Sequence, residues 1–313
     1  MPPSPATERI QMTHSWHTEG RWLDVPGFGQ LHAISLPRLS PGEPAAGPDH
    51  PRHVVLLHGF LQSSWTWRHN LEALRREFHV HALCLPGFGW SEKPRSASYR
   101  LAAQAERVQT ALQMLRAEDC HLIGNSLGGS LALQLQLLAP LRRRRLILVN
   151  PATAGRYPMA ALAALQHEFL EPLMHLPGVH FGLGLGLRLG AYVDLAKSKE
   201  FVHNFLAPLE TPGARRAALN VGRYFNRDLA ALAQRLPDLS APVLLLWGEG
   251  DRVVPLSSVL ALEKRLPDAR LEVYVSSGHC PMEEEPERFN REAVAFLTAH
   301  LSSLSADPAA RSR

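Results

Sequence analysis

Gly124-Asn125-Ser126-Leu127-Gly128 follows the apolar run Cys120-His121-Leu122-Ile123 and leads through Gly129 into Ser130-Leu131-Ala132-Leu133-Gln134-Leu135. The run before it reads as a buried strand and the run after it as a helix, so the pentapeptide sits on a strand-to-helix turn. A serine on such a turn is pushed out of the sheet, where its hydroxyl is able to act as a nucleophile. The turn is tight enough that only small residues two positions either side let strand and helix approach, and Gly124, Gly128 and Gly129 supply that clearance.

The surrounding chain has the composition of a globular enzyme, with 313 residues, 45% hydrophobic and 20% charged. Its formal charge of +4 is modest. The densest basic run, Arg142 to Arg145, reads as a solvated helix end whose cations offset the helix dipole. No aromatic interleaving or binding motif accompanies it, which argues against a nucleic-acid partner. Cys84, Cys120 and Cys280 are odd in number and lack metal-ligand spacing; Cys84 and Cys120 read as small buried hydrophobes. Sixteen histidines form no HExxH-like cluster, so no metal is expected. The first residues carry no basic-then-apolar leader, and no apolar run reaches transmembrane length. A cytoplasmic protein is the expectation.

Along the chain, residues 1 to about 20 are polar, and Trp22 to Leu36 alternates as a β-hairpin turning at Pro26-Gly27-Phe28-Gly29. A proline-rich loop over 37–52 precedes the buried strand His53-Val54-Val55-Leu56-Leu57, which ends at His58-Gly59-Phe60. A helix is expected over Trp67 to Glu77, a strand over Phe78 to Leu85 and a helix over about Leu101 to Ala117. Further strands are expected at Arg145 to Asn150, Val243 to Trp247 and Arg270 to Val275. Short apolar strands alternating with helices imply a parallel sheet covered on both faces. The stretch from Pro151 to Pro242 holds no clear strand and is too long for a loop, so it reads as an inserted helical cap. Within it, Phe181-Gly182-Leu183-Gly184-Leu185-Gly186-Leu187 is either a hinge or apolar lining, or a close helix crossing.

A serine hydroxyl needs a general base, and the base needs an orienting anion. Gly248-Glu249-Gly250-Asp251 follows one strand and Ser276-Ser277-Gly278-His279 the next. Loops at the carboxyl ends of parallel strands converge on one crevice, which lets Ser126, an acid and His279 meet. The backbone N–H of Leu127, at the start of the helix after Ser126, is positioned to hold a developing oxyanion.

With these segments in order, the chain resembles the α/β-hydrolase fold proteins from about Trp22 to Leu301. The resemblance rests on His58-Gly59-Phe60, Pro86-Gly87-Phe88-Gly89-Trp90-Ser91, Gly124 to Gly129, Gly248 to Asp251 and Gly278-His279. It implies Ser126 as nucleophile, His279 as base, Asp251 rather than Glu249 as orienting acid, and the Phe60 N–H as the second oxyanion donor. His58 and His121 are read as structural. The implied fold is an α/β-hydrolase core, with a mostly parallel sheet covered by helices, formed by residues 1–151 and 240–303, with the cap at 152–239 and a disordered tail at 304–313.

Hydrolases of this fold that use an aspartate nucleophile have a segment similar to His58–Arg68, but Ser126 sets them apart. Gly-Asn-Ser-x-Gly-Gly is shared with meta-cleavage-product hydrolases and with esterases; the former often carry tryptophan after the histidine, where this chain has Cys280. Hydrolysis of a carboxylic ester of a fairly apolar small molecule is the first expectation and C–C bond hydrolysis the second. Perhydrolysis and acyl transfer use the same triad, and a silent scaffold of this fold would usually lack a triad member. Trp65, Trp90, Phe181 and Leu183, with Phe60, are the candidate pocket residues. The chemistry requires no cofactor.

Overall fold

The computed structural model describes residues 20–39, 51–153, 185, 189–194, 207–254 and 256–299. Gly20–Val25 (β1) and Gly29–Leu36 (β2) form the expected antiparallel hairpin, turning through Gly27 at φ 74°. His53–Leu57 (β3) is followed by a 3₁₀ turn at Ser64–Trp67, the four-residue helix Leu71–Leu74 (α1) and His79–Leu83 (β4). Leu101–Met114 (α2), Cys120–Asn125 (β5), Leu127–Leu138 (α3) and Leu146–Val149 (β6) come next. The C-terminal part contains Ala214–Arg235 (α4), Val243–Gly248 (β7), Leu256–Glu263 (α5), Ala269–Tyr274 (β8), Pro281–Glu284 (α6) and Pro286–Thr298 (α7).

The eight strands make one sheet in the order β1-β2-β4-β3-β5-β6-β7-β8. β1, β2 and β4 pair antiparallel in turn, and every pair from β4 through β8 is parallel. All of β5, β6 and β7 is buried; β6 and β7 are apolar throughout, and the polar His121 and Asn125 of β5 are hydrogen-bonded inside the protein. This is the mostly parallel sheet expected from the strand–helix alternation, in the arrangement that the resemblance to α/β-hydrolases implies.

Three local expectations change. The helix expected over Trp67–Glu77 begins earlier and is broken. The Ser63 hydroxyl accepts from the Trp65 N–H to start the 3₁₀ turn, and the Asn70 amide is drawn away to Met282 O and Asn290 Oδ1. α2 stops at Met114 rather than Ala117 because Arg116 turns left-handed at φ 53°. The Ala117 N–H then closes on Leu112 O and the Arg116 N–H on Gln113 O, a Schellman stop.

The third concerns the arginine run, only half of which is solvated. Arg142 and Arg143 are exposed, but Arg144 and Arg145 are almost fully buried. The Arg144 guanidinium donates to Cys120 O, Glu118 O, Ala139 O and Gln136 Oε1, while Arg145 donates to Phe296 O and Ala299 O. Chain ends left bare by α3 and α7 supply several of these carbonyls, so the cations do meet helix C-termini, though inside the protein.

Candidate active site

β3 and β5 lie side by side, and the chain leaves them in opposite directions, to β4 on one side and to β6 on the other. Such a reversal opens a crevice at the carboxyl ends of the two strands. Ser126, after β5, and the His58-Gly59-Phe60 loop, after β3, are therefore neighbours. A Cβ built on Gly59 would lie 3.1 Å from the Ser126 Cβ.

Ser126 holds φ 53° and ψ −117°, backbone space that side chains rarely enter. The conformation is pinned from both ends. The Ser126 N–H donates to Val149 O at 3.0 Å, and its carbonyl accepts from the Gly129, Ser130 and Ala152 N–H groups. The two outer glycines of the pentapeptide are sterically required, since a Cβ on Gly124 would fall 2.3 Å from Gly128 O and one on Gly128 2.1 Å from Leu57 O. Leu127 is the first residue of α3, so its N–H has no intrahelical acceptor.

His279 and Asp251 meet although 28 residues apart, with His279 Nδ1 2.7 Å from Asp251 Oδ2. Asp251 Oδ1 accepts from the Val253 and Val254 N–H groups at 2.7 and 2.9 Å, and the Asn150 amide donates to the same oxygen that meets the histidine. The histidine backbone is held too: its N–H donates to Ala191 O, and its carbonyl accepts from Asn125 Nδ2 at 3.0 Å. Glu249, the rival acid, is exposed, and its N–H is used on Tyr274 O.

His58 is fully buried, and both of its ring nitrogens are spent on main-chain groups. Its Nε2 accepts from the Leu85 N–H, which leaves Nδ1 as the protonated nitrogen donating to Gly59 O at 2.7 Å. Burial lowers its pKa to about 4, opposed by the Gly59 bond. It is thus a neutral clamp on the loop. His121 accepts from the Arg145 N–H and packs edge-on against Phe78. Phe60 is half-buried and meets Phe88 with ring centroids 5.5 Å apart. Trp65 is buried beneath the Arg68 guanidinium, which pairs with Glu283 at 2.8 Å. Trp90 is half-buried beside the Pro86–Gly89 turn. Phe181 and Leu183 lie outside the described residues.

Three residues of the site carried no signal in isolation. Asn150 was legible only as a polar residue closing the apolar run of β6. Gln62 reaches Gly59 and Cys280, and Glu284 accepts from the Gly278, Val193 and Asp194 N–H groups. Burial raises the Glu284 pKa against those three bonds. Among the described residues, no group of three or more His, Cys, Asp or Glu is placed to hold a metal ion, and no helix is long and apolar enough to cross a membrane.

A mostly parallel sheet thus carries a strained serine turn and an acid–histidine pair at its carboxyl edge, the architecture of an α/β fold. Residues 52–286 match the family model described as alpha/beta hydrolase fold. The chain belongs to that family and is a hydrolase. It is 31% identical over 254 residues to the pimeloyl-[acyl-carrier protein] methyl ester esterase of Aeromonas hydrophila, covering 78% of this chain and 92% of that one. It is 28% identical over 261 residues to the 2-hydroxy-6-oxononadienedioate/2-hydroxy-6-oxononatrienedioate hydrolase of Comamonas testosteroni, covering 78% and 87%. Its fold also matches the meta-cleavage product hydrolase CumD of Pseudomonas fluorescens IP01, with a TM-score of 0.72, 24% identity and coverage of 88% and 97%.

Proposed function

We propose that this hydrolase cleaves a carboxylic ester of a fairly apolar small molecule through an acyl-enzyme on Ser126. The observation that carries the reading is the 2.7 Å contact between His279 Nδ1 and Asp251 Oδ2 at the same sheet edge as the strained Ser126 turn. With Nδ1–H donating to the carboxylate, the lone pair sits on Nε2, the nitrogen that takes the serine proton. Attack of Ser126 Oγ on the ester carbonyl forms a tetrahedral oxyanion, received by the N–H groups of Phe60 and Leu127. Each such donor is worth about 2.7–4 kcal/mol of barrier. The imidazolium returns its proton to the departing alcohol, and water repeats the cycle on the acyl-enzyme. Asp251 keeps the imidazole in the productive tautomer and stabilises its charged form.

Residues 152–239 form the substrate-covering cap in this reading. Support comes from α4, which docks on the core through the Arg100–Asp228 ion pair and the bond from the Tyr99 N–H to Asn220 Oδ1. Phe60, Trp65, Trp90, Phe181 and Leu183 are assigned to the apolar substrate space beneath it. The second reading, C–C hydrolysis, is favoured by the likeness to the Comamonas dienedioate hydrolase.

A fluorophosphonate probe applied to wild type and Ser126→Ala tests the nucleophile; we expect labelling of the wild type alone. A panel of p-nitrophenyl esters of rising chain length, beside a 2-hydroxy-6-oxodienoate followed by loss of its chromophore, then separates the two readings. Equal labelling of Ser126→Ala sinks the serine mechanism. Faster turnover of the dienoate than of every ester moves the enzyme to the C–C class.

A further inference from the structure

Gln62 stands outside the triad and the oxyanion donors, yet one side chain reaches both halves of the site. Its Oε1 accepts from the Gly59 N–H at 2.6 Å, and its own N–H donates to Gly59 O at 3.3 Å. His58 Nδ1 donates to the same Gly59 oxygen. Side chain and backbone thus close a four-residue turn twice over, with Leu61 forced left-handed at φ 62°. The Gly59 N–H and C=O are both consumed inside the turn, whereas the Phe60 N–H is not spent on closing it. The Gly59–Phe60 peptide, which aims the Phe60 N–H, is held at its oxygen by the Gln62 N–H and His58 Nδ1, and the Gln62 side chain fixes the adjoining His58–Gly59 peptide through its N–H.

The other end of the Gln62 amide, Nε2, donates to Cys280 Sγ at 3.6 Å. The orientation of the amide is self-consistent, because Oε1 must face the Gly59 donor and Nε2 then faces sulfur. Cys280 is a rigid anchor: its carbonyl accepts from the Glu283 and Glu284 N–H groups at the start of α6, and its thiol is fully buried. Burial first, then the nearby Glu283, Glu284 and Asp251 carboxylates, push its pKa up, so it is a neutral thiol and not a second nucleophile. The preceding residue is His279.

We propose that Gln62 is a positioning residue that fixes the Phe60 oxyanion donor relative to His279 by bridging the Gly59 turn to Cys280. This rests on the serine-hydrolase reading above. It also gives Cys280 a role, since its thiol contributes the far anchor of the bridge. The elements themselves do not depend on the contact. Thr66 and Arg68 bond Glu283, and Asn70 bonds Met282 O, so the two segments stay joined when Gln62 is changed.

The test compares Gln62→Met, which keeps length and removes both polar ends, with Cys280→Ala and Cys280→Ser, on the best p-nitrophenyl ester. Displacement of a reacting group by about 1 Å costs on the order of a hundredfold. We expect Gln62→Met to lower kcat by at least about tenfold. KM should stay within about twofold and the pH midpoint of kcat should not move, because His279 and Asp251 are untouched. Cys280→Ala should show a smaller fall in kcat that Cys280→Ser largely recovers, and Gln62→Met/Cys280→Ala should be no slower than Gln62→Met alone. Should Gln62→Met fail to fold by circular dichroism, Gln62→Asn, whose amide is one methylene too short to hold both partners, is expected to give the same fall. Wild-type kcat in a Gln62 variant, a loss confined to KM, or multiplicative effects in the double variant overturns the proposal while leaving the serine reading standing. A wild type that neither labels with fluorophosphonate nor hydrolyses any ester overturns the serine reading, and this proposal with it.

Discussion

Ser126 is costly for the fold to hold. Its φ 53°, ψ −117° lies where a Cβ is crowded, a strain worth roughly 1–3 kcal/mol that the surrounding bonds over-determine. What this secures is a hydroxyl lifted off the sheet edge beside the Gly59 turn. Asp251 is the better-satisfied acid, taking four donors, of which the His279 nitrogen is one. Glu249 is exposed. On the proposed serine mechanism, Asp251→Asn should therefore lower kcat by about 10⁴-fold through loss of the productive imidazole tautomer. Glu249→Gln should leave kcat within about twofold, as surface changes away from a site usually do. Steady-state ester hydrolysis by the two variants decides the matter; a more damaging Glu249→Gln would reverse the choice of acid.

At the scale of elements, α3 and β5 are pressed together by the absence of side chains at Gly124 and Gly128, and the far end of α3 is finished by Arg144. That buried guanidinium bonds three main-chain carbonyls and the Gln136 amide, tying together the end of α3, the start of β5 and the residues before it. Removing it strands several buried acceptors, each worth on the order of 1–3 kcal/mol. Arg144→Met should lower the unfolding free energy by about 3 kcal/mol in urea titrations. The kcat of the folded fraction should be unchanged, since Arg144 lies at the opposite end of α3 from Ser126. An unchanged urea midpoint would show that water replaces the guanidinium without cost.

The whole molecule carries a pH dependence built into its sheet. His81 bonds Ser35 Oγ at 3.0 Å and His53 Nδ1 at 2.9 Å across three adjacent strands. Burial, then the neighbouring His53, His79 and Arg21, lowers its pKa to about 3; His58 is lowered to about 4 by burial. In the unfolded chain both imidazoles take up a proton near pH 6.5, whereas in the folded chain they stay neutral down to these lower values. Unfolding therefore binds protons between about pH 6.5 and 4, and stability falls as pH falls through that window. At pH 5 each group accounts for about 2 kcal/mol of the loss. Burial acts on His53 and His79 in the same direction. Glu284, whose folded pKa is raised, opposes them, because its protonation in acid favours the folded state. Urea midpoints measured from pH 7.5 to 5 should fall steadily, and His81→Gln should flatten the slope. A slope unaltered in that variant would place the proton uptake elsewhere.

The strand runs, the hairpin, the serine turn with its two obligatory glycines, and the order serine–acid–histidine were all legible in the amino-acid sequence. The first three are properties of contiguous residues, because side-chain periodicity and local sterics act within a few positions; the order of serine, acid and histidine was legible only through the resemblance of the separate segments to a known family. The extent of the helix after Trp67 and the burial of Arg144 and Arg145 were misread, because side chains from distant elements decided both. The clamp of His58 on Gly59, the donors gathered on Asp251, and the parts played by Asn150, Gln62 and Glu284 belonged to the tertiary structure alone. These contacts join residues as far apart as 62 and 280, and the strand order of the sheet, not the spacing along the chain, determines which of them meet.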